Sequence, residues 1–445
     1  MTDGADRRSD LARRTTCRLC GGSRFELVLP ILPSAIGDAF LPREQAERQH
    51  QRVYPLDVYL CLDCGHLQNL DVVDPEILFR NYTYRTAVSV GLVEHFGLYA
   101  AAVVSELDLE PGSLVVEIGS NDGSLLKAFK AHGMHVVGVD PATNIAAAAT
   151  AEDVPTLPEF FSTAIANRIR SEDGAAALVC ANNVFAHADN LADIVAGIRK
   201  LLVPNGAFVF EVSYVPDIVD NFAFDTIYHE HVSHHALIPL ERFFNRFDMT
   251  LFDAVRAPTK GGSVRGFAQP RSTGQRPRSE RLDLLFAEEQ RRGITRPEIY
   301  RDFFQALENR KRVVLDYLDD AIAKGKTIAG FGASTTTTTL LYHFELGSRI
   351  RFLVDDNPIK HNTVSPGLHI PVLQSSELYA RRPDIVVVLA WIHADKIVER
   401  HRQFVTDGGV LLIPLPEMNL VTTSFPSISL SSAAPGTKPT VTATR

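Results

Sequence analysis

Histidines are concentrated in one short stretch of this chain, YHEHVSHH, which runs from Tyr228 to His235. It holds four of the fifteen histidines. An imidazole can bind a metal ion, transfer a proton near neutral pH or make polar contacts inside a fold. The zinc-peptidase pattern HExxH is not met, because Ser233 occupies the place of the second histidine. The stretch therefore favours proton transfer or polar packing.

Cysteines supply a second set of reactive groups. Four of the five form two CxxC pairs, Cys17 with Cys20 and Cys61 with Cys64, and a glycine follows each pair directly. Glycine permits the tight turn of a metal-binding knuckle. Two knuckles complete a tetrahedral four-thiolate site suited to Zn²⁺. Such a site has no open position for a substrate, so we predict structural zinc; thiol redox chemistry, the alternative, would use one pair.

The segment VVEIGSNDGSLLKAF contains a loop of the kind that binds nucleotides. A predicted strand ends at Glu117, and a helix is predicted to begin near Ser124. Gly119 and Gly123 bracket the turn between them, where backbone N–H groups can approach a ligand closely. The spacing is ExGxxxG and not the GxGxxG of dinucleotide-binding loops. The next predicted strand, VVGVD, ends at Asp140, whose carboxylate can accept ribose hydroxyls.

This combination resembles motif I and the following acidic position of class I S-adenosylmethionine-dependent methyltransferases. The alternatives are an NAD-binding loop, as in a reductase or epimerase, and a turn without a ligand. Asn182, Asn183 and His187 follow the next predicted strand and are expected to face the same cleft. The cofactor-binding residues implied by the resemblance are Glu117, Gly119, Asn121, Asp122, Gly123, Asp140, Asn182 and Asn183.

The elements that carry these motifs predict an α/β fold. Apolar strand-like runs alternate with helical stretches through the middle of the chain, and a second α/β pattern begins at KTIAGFGAS. We predict a small N-terminal zinc-binding domain, a central class I (Rossmann-like) methyltransferase domain and a second Rossmann-like domain. The predicted ranges are a disordered tail (1–14), the zinc-binding domain (15–85), the S-adenosylmethionine-binding domain (86–270), a C-terminal substrate-binding domain (271–425) and a disordered tail (426–445).

Composition narrows the function classes. A chain of 445 residues with 45% hydrophobic and 22% charged residues is typical of a multidomain globular protein. The net charge of −8 weighs against a zinc-containing nucleic-acid-binding protein. No apolar run reaches the length of a membrane span, and the charged N-terminus lacks the core of a signal peptide. We predict a cytoplasmic protein with a small-molecule substrate and with neither nucleic acid nor membrane as partner; the oligomeric state is not indicated.

The order of the motifs is more specific than any one of them. After the two cysteine knuckles come EIGSNDGSLL, ANNVFAH, YHEHVS, GGSVRG, GFGAS and VDDNP…PGLHIPV…LAW. From about Cys17 to Pro416 this order resembles the sugar C-methyltransferases of deoxysugar biosynthesis, which methylate carbon 3 of nucleotide-linked 4-keto sugars. The resemblance implies the same reaction class in natural-product biosynthesis, with S-adenosylmethionine and structural Zn²⁺. An O-methyltransferase acting on a sugar or another small natural product is the alternative.

The resemblance also implies roles for particular side chains. His231 corresponds to the general base, and a tyrosine just after the zinc-binding region reaches the substrate. The implied catalytic residues are His231, Tyr228, Glu230 and His187. The candidate substrate-binding residues are Tyr82, Tyr84, Lys260, Arg265 and Asp355. A hairpin turn at Lys260 and an Asn-Pro turn after Asp355 are the structural alternatives.

The chain departs from the family pattern at three places. His234 and His235 stand where the family commonly has tyrosines, and Lys260 stands where it has a histidine. Ser334 is followed by threonines from Thr335 to Thr339, where the family commonly has Lys-Gly-Asn. A lysine can neutralise a phosphate, whereas threonines can only hydrogen-bond. These differences concern the acceptor and leave the methyl-donor motifs unchanged.

Overall fold

The computed structural model describes residues 10–49, 51–80, 86, 91–423, 428–431 and 440–443. The chain divides into two compact units, and neither is continuous in sequence. Unit 1 comprises Met1–Glu26, Leu60–Pro216 and Val232–Arg296. Unit 2 comprises Leu27–Tyr59, Asp217–His231 and Pro297–Arg445. Among the described residues no helix combines the length and apolarity needed to cross a membrane.

The elements alternate along most of the chain. In chain order the strands are β1 (Leu11–Arg13), β2 (Phe25–Leu29), β3 (Leu41–Pro42), β4 (Val58–Cys61), β5 (Leu67–Asn69), β6 (Asp71–Val73), β7 (Leu114–Ile118), β8 (His135–Val139), β9 (Thr156–Leu157), β10 (Ala176–Asn182), β11 (Leu202–Ser213), β12 (Ser233–His234), β13 (Met249–Ala257), β14 (Ser263–Pro270), β15 (Ile328–Phe331), β16 (Leu353–Asp355), β17 (Thr363–Val364), β18 (Val372–Gln374), β19 (Ile385–Val388), β20 (Val410–Ile413), β21 (Met418–Val421), β22 (Ile428–Ser431) and β23 (Thr440–Ala443). The helices are α1 (Arg43–Ala46), α2 (Pro75–Phe79), α3 (Leu92–Leu107), α4 (Ser124–Ala131), α5 (Thr143–Ala151), α6 (Thr163–Glu172), α7 (Leu191–Leu201), α8 (Val215–Asp220), α9 (Leu237–Asn245), α10 (Glu280–Arg292), α11 (Pro297–Ala323), α12 (Thr335–His343), α13 (Glu377–Arg381), α14 (Ala394–Arg400) and α15 (Arg402–Thr406).

A seven-stranded sheet forms the centre of unit 1, in the order β13-β14-β11-β10-β7-β8-β9. The strands from β11 to β9 are parallel, and β14 and β13 continue the sheet antiparallel. Every residue of β7 is buried, because helices cover both faces of a parallel sheet and its strands are then continuous apolar runs. The chain leaves β7 towards β8 on one side, while β10 lies on the other. This switch point places a ligand-binding crevice at the carboxyl ends of the strands.

The cysteine-containing part of unit 1 is built from short strands. β1 pairs antiparallel with β6, and β5 pairs antiparallel with β12. In the second pair Ser233 lies opposite Gln68, and His234 lies opposite Leu67. The end of the histidine stretch is therefore a strand of the region that holds the cysteines.

Unit 2 contains an eight-stranded sheet in the order β18-β16-β15-β19-β20-β21-β22-β23. The first five strands are parallel, and the last three continue antiparallel. As in unit 1, the chain passes from a central strand, β15, through a helix to its neighbour, β16. The predicted second Rossmann-like α/β fold is confirmed, and so is the α/β class of the whole chain.

Two outer strands lie where a disordered tail was predicted. β22 and β23 fall within residues 426–445, and the rest of that range lies outside the described residues. The division into three sequence domains stays a prediction.

Candidate active site and zinc centre

The four cysteines of the two CxxC pairs come together in unit 1. Their Sγ atoms all lie within 4.8 Å of one another. Cys17 and Cys64 are 3.7 Å apart, and Cys20 and Cys61 are 3.6 Å apart, measured between Sγ atoms. Tetrahedral zinc with bonds of about 2.3 Å holds its sulfur ligands roughly 3.8 Å apart. The four sulfurs therefore fit a four-thiolate zinc site.

The two knuckles have the same turn. Gly21 and Gly65 have positive φ angles of 77° and 81°. The Gly21 N–H donates to the Cys17 carbonyl at 3.0 Å, and the Gly65 N–H donates to the Cys61 carbonyl at 2.8 Å. A Cβ at Gly65 would also lie 2.4 Å from Cβ of Thr295. Glycine is therefore required after each pair for both its conformation and, at Gly65, its size.

Charge in the cluster also indicates a cation. Contact with the Cys17 sulfur, together with burial, raises the pKa of Cys61 to about 12, because neighbouring sulfurs cannot all be thiolates by themselves. Gln68 Nε2 donates to Cys17 Sγ at 3.1 Å, and the Gly22 N–H donates to Cys20 Sγ at 3.3 Å. Such outer contacts orient thiolate ligands, and a divalent metal supplies the charge that four thiolates need.

The predicted cofactor loop lies between β7 and α4 in unit 1. β7 includes Glu117 and ends one residue later, and α4 begins at Ser124 as the sequence predicts. Gly119 and Gly123 have positive φ angles of 68° and 75°. A Cβ on Gly119 would lie 2.3 Å from Cγ2 of Val184. The loop therefore approaches the turn after β10 too closely for a side chain at this position.

Two carboxylates shape this loop. Asp140 accepts the Asn121 N–H on Oδ2 and the Ala142 N–H on Oδ1, both at 2.9 Å. Burial raises the pKa of Asp140. Asp122 Oδ1 accepts from the backbone N–H of Ser124 at 3.2 Å and from its hydroxyl at 2.6 Å. Asp140 therefore joins the loop to the end of β8, and Asp122 holds Ser124, the first residue of α4.

Several buried polar atoms at this edge of the sheet have no hydrogen-bond partner among the described residues. They are Glu117 Oε2, Ser120 Oγ and both polar side-chain atoms of Asn182. Burial, with the charge of Asp140 as a smaller cause, raises the pKa of Glu117 well above its ordinary value. Buried polar groups are normally paired. Their grouping after two neighbouring strands, β7 and β10, therefore fits a polar cofactor such as S-adenosylmethionine.

The turn after β10 carries the next two predicted residues. Asn183 has a positive φ of 54°, and its N–H donates to the Glu211 carbonyl at 2.7 Å. The His187 ring stacks on Phe79 with centroids 5.6 Å apart and planes 9° apart. The backbone N–H of His187 donates to the Val184 carbonyl at 2.8 Å. The imidazole of His187 is thus held in a defined plane beyond the strand that ends with Asn182.

In unit 2, Tyr228 and His231 form a hydrogen-bonded pair. The Tyr228 hydroxyl lies 2.9 Å from His231 Nε2, and the two rings stack with centroids 4.0 Å apart. His231 Nδ1 lies 2.6 Å from the Thr226 carbonyl oxygen. A carbonyl can only accept, so Nδ1 carries the proton and Nε2 is the basic nitrogen. Both His231 and the neighbouring Glu230 are buried.

His229 faces a different environment in the same unit. Its Nε2 lies 3.3 Å from the Tyr54 carbonyl oxygen, and its ring meets the Tyr54 ring edge-on. Burial lowers the pKa of His229 from 6.5 to about 4. His229 is therefore a neutral packing residue at pH 7, unlike His231 two positions later.

The remaining histidines of the stretch belong to unit 1 and are buried. His234 Nε2 lies 2.9 Å from Asn69 Oδ1, and His235 Nε2 lies 3.3 Å from the Phe185 carbonyl oxygen. The Ser233 hydroxyl lies 3.2 Å from His66 Nε2. His234 and His235 thus link the cysteine region to the turn after β10.

Two of the predicted substrate-binding residues, Tyr82 and Tyr84, lie outside the described residues. Lys260 is exposed and has a positive φ of 51° in the short turn Thr259–Gly261 before β14. The turn that was the structural alternative at Lys260 is therefore present.

Arg265 is engaged within unit 1. Its Nε and Nη2 lie 3.1 and 2.8 Å from Glu211 Oε2, and its guanidinium lies 3.9 Å from the centre of the Tyr99 ring. Burial opposes ionisation of Glu211, but contacts with His95 and Arg265 outweigh it and lower the pKa of Glu211 to about 2. The guanidinium therefore neutralises a buried carboxylate of the same sheet.

Asp355 repeats in unit 2 what Asp140 does in unit 1. It ends β16, and its Oδ2 accepts the Ala333 N–H from the loop after β15 at 2.6 Å. Its Oδ1 accepts the Asn357 N–H at 2.7 Å. The second Rossmann-like sheet thus has its own glycine-containing loop tied to an acidic strand end.

The threonine run is mostly internal to unit 2. Ser334 caps α12, and Thr337, Thr338 and Thr339 are buried. The Thr338 hydroxyl donates to the Gly37 carbonyl at 2.8 Å, and the Thr339 hydroxyl donates to the Ile227 carbonyl at 2.9 Å. Sequence reasoning missed these contacts, because the partner carbonyls are remote in sequence and carry no signal of their own.

Known proteins match most of the chain. Three family models match in succession: "Putative zinc binding domain" over residues 17–79, "Methyltransferase domain" over 91–255 and "C-methyltransferase C-terminal domain" over 258–416. The C-methyltransferase NovU of Streptomyces niveus is 32% identical over 411 residues, which span 91% of this chain and 96% of NovU. The chain belongs to the sugar C-methyltransferase family. As a member of this family it is an S-adenosylmethionine-dependent C-methyltransferase with a zinc-binding domain.

Solved structures of more distant methyltransferases overlap part of the chain. Magnesium protoporphyrin IX methyltransferase from Synechocystis aligns with 40% of this chain and 79% of its own, at 14% identity and a TM-score of 0.31. The PH0226 protein from Pyrococcus horikoshii aligns with 44% of this chain and 96% of its own, at 13% identity and a TM-score of 0.34. At these TM-scores the alignments add nothing to the assignment.

Replacing one cluster cysteine is expected to release zinc. Protein with Cys20→Ser lacks one of four thiolates and should lose the roughly one zinc ion per chain that a closed four-thiolate site holds. Metal content per chain, measured by mass spectrometry, checks this. Cys180→Ala is the control, because Cys180 is buried in β10 and belongs to no CxxC pair. Full zinc content in Cys20→Ser would contradict the site.

The stability of the protein should depend on pH through His229. Its pKa is about 4 when folded and 6.5 as the reference value, so the unfolded state binds the proton more readily below pH 6.5. The free energy of unfolding should therefore fall between pH 7.5 and pH 5.5, by about 1 kcal/mol more than in His229→Gln. Denaturant unfolding of both proteins at both pH values measures the difference. Parallel pH dependences would show that His229 does not contribute.

Proposed function

We propose that this C-methyltransferase methylates the carbon next to a ketone, at C-3 of a nucleotide-linked 4-keto deoxysugar, with His231 as the general base. The observation that carries the proposal is the Tyr228–His231 pair. The Thr226 carbonyl fixes the proton on Nδ1, which leaves Nε2 basic and beside a tyrosine hydroxyl. A base next to a proton donor is what enolisation of a ketone requires.

His231 and Tyr228 are suited to the proton transfers of enolisation. The C–H bond next to the carbonyl breaks, its proton moves to His231 Nε2, and the electron pair moves to the carbonyl oxygen. The imidazolium that forms keeps its Nδ1–H on the Thr226 carbonyl, which stabilises the charge. The Tyr228 hydroxyl, which donates to Nε2 when no acceptor is bound, is proposed to turn to the carbonyl oxygen of the acceptor, which frees the Nε2 lone pair for the proton and gives the oxyanion a donor. S-adenosylmethionine, when bound, would supply the electrophilic methyl group to the enolate carbon, with its S–CH3 bond broken and S-adenosylhomocysteine as the leaving group.

The residues proposed to hold the cofactor surround the crevice after β7, β8 and β10. Asp140 is proposed to accept ribose hydroxyls in addition to the backbone N–H groups it already accepts, since each carboxylate oxygen has a second lone pair. Asn182 and Glu117 contribute polar atoms that are buried without partners among the described residues. Gly119 lets the loop lie close to the turn after β10, because its position leaves no room for a Cβ.

Gly119→Ala is expected to weaken S-adenosylhomocysteine binding by tenfold or more, about 1.4 kcal/mol, because the added Cβ must displace Val184 and the loop. Calorimetric titration measures the affinity. Gly112→Ala is the matched control: its φ is also positive, at 85°, but no atom lies within 4 Å of the added Cβ. Equal affinities of the two variants would contradict the proposed cofactor loop.

Replacing the proposed base should stop proton removal and spare cofactor binding. His231→Gln is expected to lower the exchange of the acceptor's α-hydrogen with deuterated water by roughly 10²- to 10⁴-fold, while S-adenosylhomocysteine affinity stays unchanged. Nuclear magnetic resonance of a nucleotide-linked 4-keto sugar follows the exchange. His229→Gln is the control within the same stretch. Wild-type exchange by His231→Gln would exclude His231 as the base.

The same substrate separates carbon from oxygen methylation. With deuterium at the α-carbon, C-methylation releases that deuterium, whereas O-methylation retains it in the product. Mass spectrometry of the methylated sugar distinguishes the two.

A further inference from the structure

Two buried hydrogen bonds in unit 2 flank the carbonyl that holds His231. The Trp391 indole N–H donates to Asp225 Oδ2 at 2.9 Å. The Thr339 hydroxyl donates to the Ile227 carbonyl at 2.9 Å. Asp225 and Ile227 are the residues immediately before and after Thr226, whose carbonyl accepts from His231 Nδ1.

The turn that carries this carbonyl is short. Residues Phe224–Thr226 form a single 3₁₀ turn, closed by the Ile227 N–H donating to the Phe224 carbonyl at 2.9 Å. This N–H and the Thr226 carbonyl belong to the same peptide, so the direction of the carbonyl depends on the turn keeping its shape, and a single 3₁₀ turn has hydrogen bonds of poorer geometry than an α-helix. The two tethers hold Asp225 and Ile227, the residues on either side of Thr226, and so help to keep the turn and the Thr226 carbonyl in place.

Both tethers are shielded from water. The side chains of Asp225 and Thr339 belong to residues that are each 1% exposed. Burial raises the pKa of Asp225 to about 7, and the Trp391 N–H opposes that rise. A hydrogen bond to a buried carboxyl is costly to remove, because no water replaces it.

We propose that Trp391 and Thr339 are positioning residues for His231, acting through the peptide between Thr226 and Ile227. They fix the direction of the Thr226 carbonyl, which sets the plane of the imidazole and keeps the proton on Nδ1. This inference rests on the proposed role of His231 as the base. Neither residue needs to touch the acceptor, so removing its hydrogen bond lowers the rate of proton removal and leaves acceptor binding unchanged.

The threonine run offers a matched pair for the test. Thr338 and Thr339 are neighbours on α12, both are 1% exposed, and both hydroxyls donate to a backbone carbonyl. Thr339 holds Ile227, whereas Thr338 holds Gly37. Substitution by valine removes the hydroxyl and keeps the shape of the side chain at either position. The two variants therefore differ only in which carbonyl loses its hydrogen bond, that of Gly37 or that of Ile227.

The experiment compares Thr339→Val, Thr338→Val and Trp391→Phe in the full-length protein. For Thr339→Val and Trp391→Phe we expect α-hydrogen exchange and kcat to fall by tenfold or more, with KM for the sugar within about twofold of wild type. The ¹⁵N resonances of His231, labelled and assigned by comparison with His231→Gln, should show loss of the Nδ1–H tautomer. Thr338→Val should lower the melting temperature as much as Thr339→Val but keep the wild-type rate and tautomer.

The possible results distinguish the positioning role of Trp391 and Thr339 from the role of His231 as the base. Equal rates in Thr338→Val and Thr339→Val, or an unchanged tautomer in both Thr339→Val and Trp391→Phe, would overturn the positioning role while His231→Gln still loses exchange. Retained exchange in His231→Gln would instead overturn the base assignment, and the tautomer measurement, which needs no substrate, would still report on the tethers.

Discussion

The proposed chemistry depends on one hydrogen bond, from His231 Nδ1 to the Thr226 carbonyl at 2.6 Å. A neutral imidazole can carry its proton on either nitrogen, and only one arrangement leaves Nε2 basic. The carbonyl makes that choice, since it accepts and never donates. Tyr228 then has a defined partner at Nε2, and the stacking of the two rings fixes their positions relative to each other.

The histidine stretch combines residues with different tasks because the border between the two units passes through it. Tyr228 to His231 belong to unit 2, and Val232 to His235 belong to unit 1. Within unit 1 the second half is a strand paired with β5, next to the zinc knuckles. The partner strand β5 begins three residues after Cys64, so the second half of the stretch belongs to the cysteine region.

In each Rossmann-like sheet, an aspartate at a strand end accepts a backbone N–H from a neighbouring loop. In unit 1 Asp140 accepts a backbone N–H from the loop after β7, and in unit 2 Asp355 accepts one from the loop after β15. A carboxylate in this position satisfies a loop N–H that would otherwise be buried without a partner. The two units have different roles in the proposed reaction: unit 1 carries the sequence motifs of methyl-donor binding, and unit 2 carries the proposed base.

The sequence by itself determined the α/β class, the four clustered cysteines, the glycine-containing loop between β7 and α4 and the family, because each leaves a local pattern: a CxxCG knuckle, an ExGxxxG turn, an apolar strand ending in Asp140. It also singled out His231. Only the tertiary structure distinguished His229, a neutral packing residue, from His231, since the two are two positions apart in the chain and differ in the carbonyls and tyrosine side chains they contact. It likewise gave Arg265 a buried partner, Glu211, and gave Thr338 and Thr339 separate backbone partners. Those partners lie 54, 301 and 112 positions away, and a hydrogen bond to a remote carbonyl leaves no pattern in the chain that donates it.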